Sequence, residues 1–278
     1  MSTALQALFV LLPPLYFAAM VLFAMSFAGD KAPPLAGARN WVFRALLVVH
    51  LALFAVHWNV AGGFAISTTW VLVSAVAFTT ALLYGLITWR TEQAPVGAIV
   101  LIVVGTMQLF ASSFVDLAPV AKVASAGDST RLVVHAMTSV LATAALLLSG
   151  IYGFVHLLLF RQMRHRKFGP LFEQLPHLEL LARSTRRAAL AGFLFMTIGV
   201  NVGIWQAHAN QVEGFNYGDP QVILTLAVWL HFGVIAFSRY IRGVSARRAS
   251  YAAAAGLVVL ILTLLLTLLP SATFHSLG

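Results

Sequence analysis

Residues 204–231 read IWQAHANQVEGFNYGDPQVILTLAVWLH. We interpret the rest of the chain as a scaffold that holds several histidines around this stretch. It starts in one apolar segment, passes through a polar and aromatic connection, and ends in a second apolar segment. The connection contains no lysine or arginine, although the whole chain has 17 of them. We expect the stretch to join two membrane-spanning helices. We also expect His135 and His275 to lie on the same side of the bilayer as this connection.

The composition is that of a membrane protein. Of the 278 residues, 60% are hydrophobic and 9% are charged, and the mean hydropathy is +0.91. A soluble domain carries about 25% charged residues. The net charge of +9 is therefore interpreted as setting topology in the lipid bilayer, and not as binding nucleic acid. The absence of cysteine excludes thiolate metal sites and covalent attachment of a cofactor through thiols of this chain.

Eight segments have the length and apolar character of a membrane span, which needs roughly 20 apolar residues. They predict an all-α fold with eight transmembrane helices in a single integral-membrane domain, residues 1–278. The first segment is too long for the apolar region of a signal peptide and is expected to be a retained helix. The segments are approximately 4–28, 41–60, 64–88, 95–115, 132–160, 188–208, 222–241 and 249–269.

Lysine and arginine lie almost entirely in alternate connections. All but two of the 17 lie within the first, third, fifth and seventh connections or at the segment ends beside them, and the exceptions are Lys122 and Arg131. Because cytoplasmic loops are rich in these residues, both termini are predicted to lie outside. In a bacterium this corresponds to a multi-pass protein of the inner (plasma) membrane. The fifth connection is also amphipathic around residues 168–178 and is expected to lie on the inner interface.

Histidine is the ionisable side chain that recurs within the predicted spans, where aspartate, glutamate and lysine are missing. Ionisable groups in the membrane are costly and usually functional. Imidazole without thiolate or carboxylate partners suits haem iron held between helices. His50 and His231 lie about nine or ten residues into their spans, roughly 14 to 15 Å at 1.5 Å per residue. They are predicted near the midplane, either as ligands of a haem or as a hydrogen-bonded structural pair.

His135 lies in the first outer turn of the fifth segment, four residues after Arg131. The two propionates of haem favour arginine or lysine partners. Arg131 and Lys122 are thus candidates for propionate contacts, and the alternative is that they are ordinary interfacial anchors. Four further histidines are expected to be structural or solvated: His156, His165, His177 and His208.

Several short motifs, taken in order along the chain, resemble the cytochrome c assembly proteins, and specifically the HemX and YpjD-like branch, which is related to CcsA. The motifs are Leu132-Val133-Val134-His135, the run RQMRHRKFG at 161–169, Gly203-Ile204-Trp205, Asp219-Pro220 and the terminal FHSLG at 274–278. The resemblance implies that His135 and His275 are axial ligands of an outer haem, and that His50 is the second-helix histidine of the branch. The tryptophan-rich segment of the family would end here at Asp219, but Val212, Asn216 and Gly218 occupy the positions of its tryptophans, which leaves Phe215 and Tyr217 as the aromatic residues.

These observations predict a protein that binds haem b non-covalently and handles or exports it in cytochrome c biogenesis or haem homeostasis. Trp205, Phe215 and Tyr217 are expected to form apolar walls of the outer site. The chain is expected to have no catalytic role of its own and to work with a second membrane protein of cytochrome c maturation. Two alternatives remain open: a b-type cytochrome-like electron carrier with two haems across the bilayer, or a haem-free regulator or assembly factor.

Overall fold

The computed structural model describes residues 3–25, 27–28, 34–61, 69–88, 94–115, 129–166, 169–209 and 216–266. Within these residues the chain is helical and has no strand, which confirms the predicted all-α class. The α-helices of this part of the chain are α1 (Thr3–Ala24), α2 (Arg39–Ala61), α3 (Thr69–Thr88), α4 (Ala94–Phe114), α5 (Ser129–Arg164), α6 (Pro170–Gln174), α7 (Leu178–Ala209), α8 (Pro220–Ala236) and α9 (Ala246–Leu266).

Seven of these helices are long and apolar enough to cross a membrane, namely all except α6 and α8. The chain is therefore a multi-pass membrane protein. α8 is also apolar, but its 17 residues fall short of the roughly 20 that a span requires. The total of eight spans and the outside location of the termini stay predictions. Large apolar side chains such as Val10, Trp41 and Leu230 are exposed, as expected for surfaces that face lipid.

Two helices are longer than the apolar segments that predicted them. α5 continues to Arg164, beyond the expected end at Phe160, and α7 begins at Leu178 instead of Ala188. The added turns are rich in arginine, leucine and alanine, which favour helix. The helical backbone therefore continues beyond the residues where the apolar character ends.

The start of α8 is fixed by its sequence. The Asp219 carboxylate accepts a hydrogen bond from the Gln221 backbone N–H at 2.7 Å, and Pro220 occupies the first helical turn. An aspartate cap followed by proline is a favourable beginning for a helix. α8 ends at Ala236, before the predicted Ile241, and a short 3-10 turn follows it.

The described residues fall into two compact units, and the prediction of a single domain is not tested by this division. The first unit lies within Met1–Val123 and Leu158–Leu178, and it contains α1 to α4. Here α1 packs against α2 and α4, and α3 packs against α4. Phe23, Phe43 and Tyr84 meet edge to face, with ring centres 5.6 to 6.4 Å apart. These contacts fill the space between α1, α2 and α3.

The second unit lies within Ala124–Leu157 and Glu179–Gly278, and it contains most of α5 together with α7, α8 and α9. The Ser149 hydroxyl of α5 donates to the Thr185 carbonyl of α7 at 2.9 Å. Further along α7, the Trp229 indole N–H of α8 donates to Thr197 Oγ1 at 2.8 Å. Such bonds between helices, together with close packing, hold helices together where lipid provides no hydrophobic drive.

Candidate functional site

His135 on α5 makes a defined hydrogen bond with α7. Its Nδ1 lies 2.8 Å from the carbonyl oxygen of Gly199. A carbonyl can only accept, so Nδ1 must carry the proton and donate it. In a neutral ring Nε2 then has a free lone pair. The residue as a whole is half-buried.

Two glycines of α7 make room for the His135 ring. A Cβ at Gly203 would lie 2.7 Å from His135 Cε1 and 2.8 Å from Nδ1, closer than real side chains approach. Gly199 lies one turn earlier, where a Cβ would be 3.1 Å from Thr138 Oγ1. The role of these glycines was not predicted from the sequence. Their GxxxG spacing, which typically marks close helix packing in membranes, is the signal that would have found them.

Arg131 and Trp205, both predicted site residues, contact each other beside His135. The Arg131 guanidinium carbon lies 4.2 Å from the centre of the Trp205 ring, within the range of a cation–π interaction. Arg131 is one helical turn before His135, and Trp205 follows Gly203 by two residues. The structure thus brings three predicted residues together where α5 begins and α7 ends.

Tyr217 lies beside His208 at the end of α7. His208 Nδ1 donates to the Ile204 carbonyl at 2.8 Å, so its ring adds a second donor to a carbonyl that already has its partner within the helix. The Tyr217 hydroxyl is 3.5 Å from His208 Nε2, at the outer limit of a hydrogen bond. Three other predicted site residues lie outside the described residues: Lys122, Phe215 and His275.

His50 on α2 is fully buried, and both of its ring nitrogens have partners. Nδ1 is 2.9 Å from the Tyr16 hydroxyl, and Nε2 is 3.0 Å from Ser74 Oγ. Ser74 gives its only hydrogen to Gln108 Oε1, so its oxygen accepts from His50 Nε2–H. In a neutral ring Nδ1 then accepts from Tyr16. Since Gln108 in turn donates to Ser112 at 3.0 Å, one continuous hydrogen-bonded chain joins α1, α2, α3 and α4.

His231 on α8 contacts α9 in the way that His135 contacts α7. Its Nε2 lies 2.9 Å from the Ala252 carbonyl oxygen, so Nε2 donates. A Cβ at Gly256, one turn after Ala252, would lie 2.8 Å from the same nitrogen. His231 belongs to the second unit and His50 to the first, so their predicted pairing stays a prediction.

The hydrogen bonds of each histidine indicate which ring nitrogen remains available to coordinate haem iron. A metal-ligating histidine usually donates its other N–H to a carbonyl or carboxylate, and His135 does this. His50 would have to break a hydrogen bond in order to coordinate iron. His231 offers only Nδ1 unless its bond to Ala252 breaks. The described residues contain no cluster of three or more potential metal ligands, so a bare metal ion has no site of that kind in this part of the chain.

The fold and the site define a class: a multi-pass helical membrane protein with a half-buried histidine and an arginine at one end of a helix pair. The family described as cytochrome C assembly protein matches residues 43–275, and this range includes every predicted site residue. The chain therefore belongs to the cytochrome c assembly protein family, and it has a role in cytochrome c biogenesis. No curated protein sequence matches the chain significantly. The predicted branch within the family stays a prediction.

Proposed function

We propose that this protein binds haem b non-covalently at the outer face of the bacterial inner membrane and hands it on during cytochrome c maturation. It does so as an eight-span protein with both termini outside, and without a catalytic step of its own. His135 and His275 are the axial ligands. Arg131 and Lys122 hold the haem propionates. Trp205, Phe215 and Tyr217 form the apolar walls of the haem site.

The hydrogen bond between His135 Nδ1 and the Gly199 carbonyl carries this proposal. It leaves Nε2 as the ligating nitrogen and fixes the plane of the ring, as the second partner of a ligating histidine does. The guanidinium of Arg131 supplies a positive charge one turn away. A bidentate contact of arginine with a propionate is a strong charge-assisted interaction. The aromatic face of Trp205 offers an apolar surface next to both.

The hydrogen bonds of His50 and His231 do not support a second haem near the midplane. Two haems across the bilayer, as an electron carrier requires, would need His50 to break its bond to Tyr16 or to Ser74. His231 would either have to release Ala252 or coordinate through Nδ1. The outer site needs no such change at His135.

A haem titration of the purified protein tests the proposal. His135→Ala should lose the low-spin haem spectrum, because the iron loses an axial ligand. His208→Ala is the matched control, since His208 also donates Nδ1 to a backbone carbonyl of α7 and lies near the same helix end. It should keep the wild-type low-spin spectrum, because His208 is not an axial ligand in the proposed site. Retention of the full spectrum by His135→Ala, or an equal loss in both variants, would contradict the proposal.

A further inference from the structure

We propose that Gly199 and Gly203 form a seat on α7 that makes His135 competent as a ligand, by fixing its tautomer and the plane of its ring. The Gly199 carbonyl holds the proton on Nδ1, and the missing side chain at Gly203 provides the space for the ring. Both glycines are positioning residues, because neither contacts the haem. The inference rests on the proposed function. It assigns the choice of the ligating nitrogen of His135 to two residues that are not themselves ligands.

The geometry of the seat is set by the helix. Gly199 and Gly203 are four residues apart, so they lie on one face of α7. In an α-helix the carbonyl of residue 199 accepts from the N–H of residue 203. His135 therefore adds a second donor to a carbonyl that already has its helical partner. A ring can reach that oxygen only if residue 203 has no Cβ, because the Cβ would lie 2.8 Å from His135 Nδ1.

The seat decides which nitrogen is free. Without a partner, an imidazole can carry its proton on either nitrogen, and the hydrogen bond selects the tautomer. At His135 the bond engages Nδ1 and leaves Nε2, the nitrogen farther from the backbone. At His231 the same arrangement on α9, with Ala252 and Gly256, engages Nε2 instead. The described helices thus show two similar seats, of which one engages Nδ1 and the other engages Nε2.

The second seat supplies a matched control for substitution. Gly203→Ala and Gly256→Ala both place a methyl group within 2.7 to 2.8 Å of a histidine ring. Gly203→Ala should weaken haem binding roughly 10- to 100-fold, the usual effect of losing the outer partner of a metal-ligating histidine. Gly256→Ala should leave the haem affinity of the inserted protein unchanged. Unchanged affinity in Gly203→Ala, or loss in Gly256→Ala alone, would overturn the inference.

A second experiment removes the steric conflict, so that misfolding cannot explain the result. His135→Gly leaves a space for free imidazole, which should bind against the Gly199 carbonyl and restore the low-spin spectrum. In the His135→Gly background, Gly203→Ala meets no ring and is expected to preserve the fold. It should abolish the rescue by imidazole, because its methyl group occupies the seat. Equal rescue in both backgrounds would contradict the inference.

A measurement without haem separates this inference from the proposed function. In protein labelled with ¹⁵N-histidine, the His135 signals, identified by their loss in His135→Ala, should show a proton on Nδ1 and none on Nε2. A proton on Nε2 in the wild type would overturn the seat even if haem binds at His135. If His135 has the expected tautomer but His135→Ala keeps the full haem spectrum, the proposed function fails, and with it the role of the seat in ligation.

Discussion

The histidines of this chain differ in how many ring nitrogens are already engaged. His135 uses one nitrogen for the Gly199 carbonyl and keeps the other. His50 uses both, within a chain of buried side chains that contains no charged group. From the sequence, His50 was open between a haem ligand and a hydrogen-bonded structural residue, because depth in the membrane reports burial but not hydrogen bonding. His135 was predicted as a ligand through the family resemblance. We therefore propose an organising role for His50 in the first unit and a binding role for His135.

Substitution of His50 tests this distinction. His50→Ala leaves the buried Tyr16 hydroxyl and the Ser74 oxygen without their partner, and each unsatisfied group costs about 1–3 kcal/mol. We expect a lower unfolding midpoint in detergent, with an unchanged amount of haem per folded protein. Ser112→Ala, at the end of the same chain, should have a smaller effect on stability, because it leaves one group, the Gln108 amide, without its partner instead of two. Loss of haem from His50→Ala without loss of stability would identify His50 as a ligand.

At the scale of elements, a histidine ring packs against a glycine of the neighbouring helix at two of the described helix contacts. His135 of α5 enters a glycine face of α7, and His231 of α8 enters a glycine face of α9. Between helices in lipid, close approach of small residues and hydrogen bonds across the contact replace the hydrophobic effect. Both histidines were predicted from the sequence but the glycines were not, because a glycine in an apolar run changes the hydropathy pattern very little.

The beginning of α8 provides a prediction about an element. Asp219→Ala removes the acceptor for the Gln221 N–H and should cost about 1 kcal/mol of helix stability. The first amides of α8 should then exchange hydrogen for deuterium roughly fivefold faster. Asp219→Asn should retain slow exchange, because asparagine caps equally well. Equally fast exchange in Asp219→Asn would mean that the negative charge, and not the cap, stabilises this end.

For the whole molecule, composition and apolar segments were enough to predict the class, and the resemblance of several short motifs, taken in order along the chain, predicted the family. The apolar segments became helices because their length and hydropathy allow few other structures in lipid. The helix ends at Arg164 and Leu178 were not predicted, because hydropathy measures transfer to lipid and does not detect helical turns in the basic connections. Of the predicted site residues, three lie near one another in the described part of the chain. Arg131, His135 and Trp205 lie together, whereas the tautomer of His135 and its seat depend on contacts that only the folded chain reveals.

The topology of the whole molecule follows from the distribution of lysine and arginine. Reporter fusions at Gly278 and next to Lys167 should lie on opposite sides of the membrane, with Gly278 outside. A fusion in the connection between α7 and α8 is the control and should report the same side as Gly278. Reporters at Gly278 and Lys167 on one side would remove the argument that His135 and His275 share a face.

The central claim is that haem binds at the outer face through His135 and His275. The most direct measurement is the oxidised and reduced absorption spectrum of the purified wild-type protein and of the double variant His135→Ala, His275→Ala. We expect a low-spin haem spectrum for the wild type and its loss in the double variant, while membrane insertion is unchanged. If the double variant keeps the full wild-type spectrum, haem binds elsewhere and the claim is wrong.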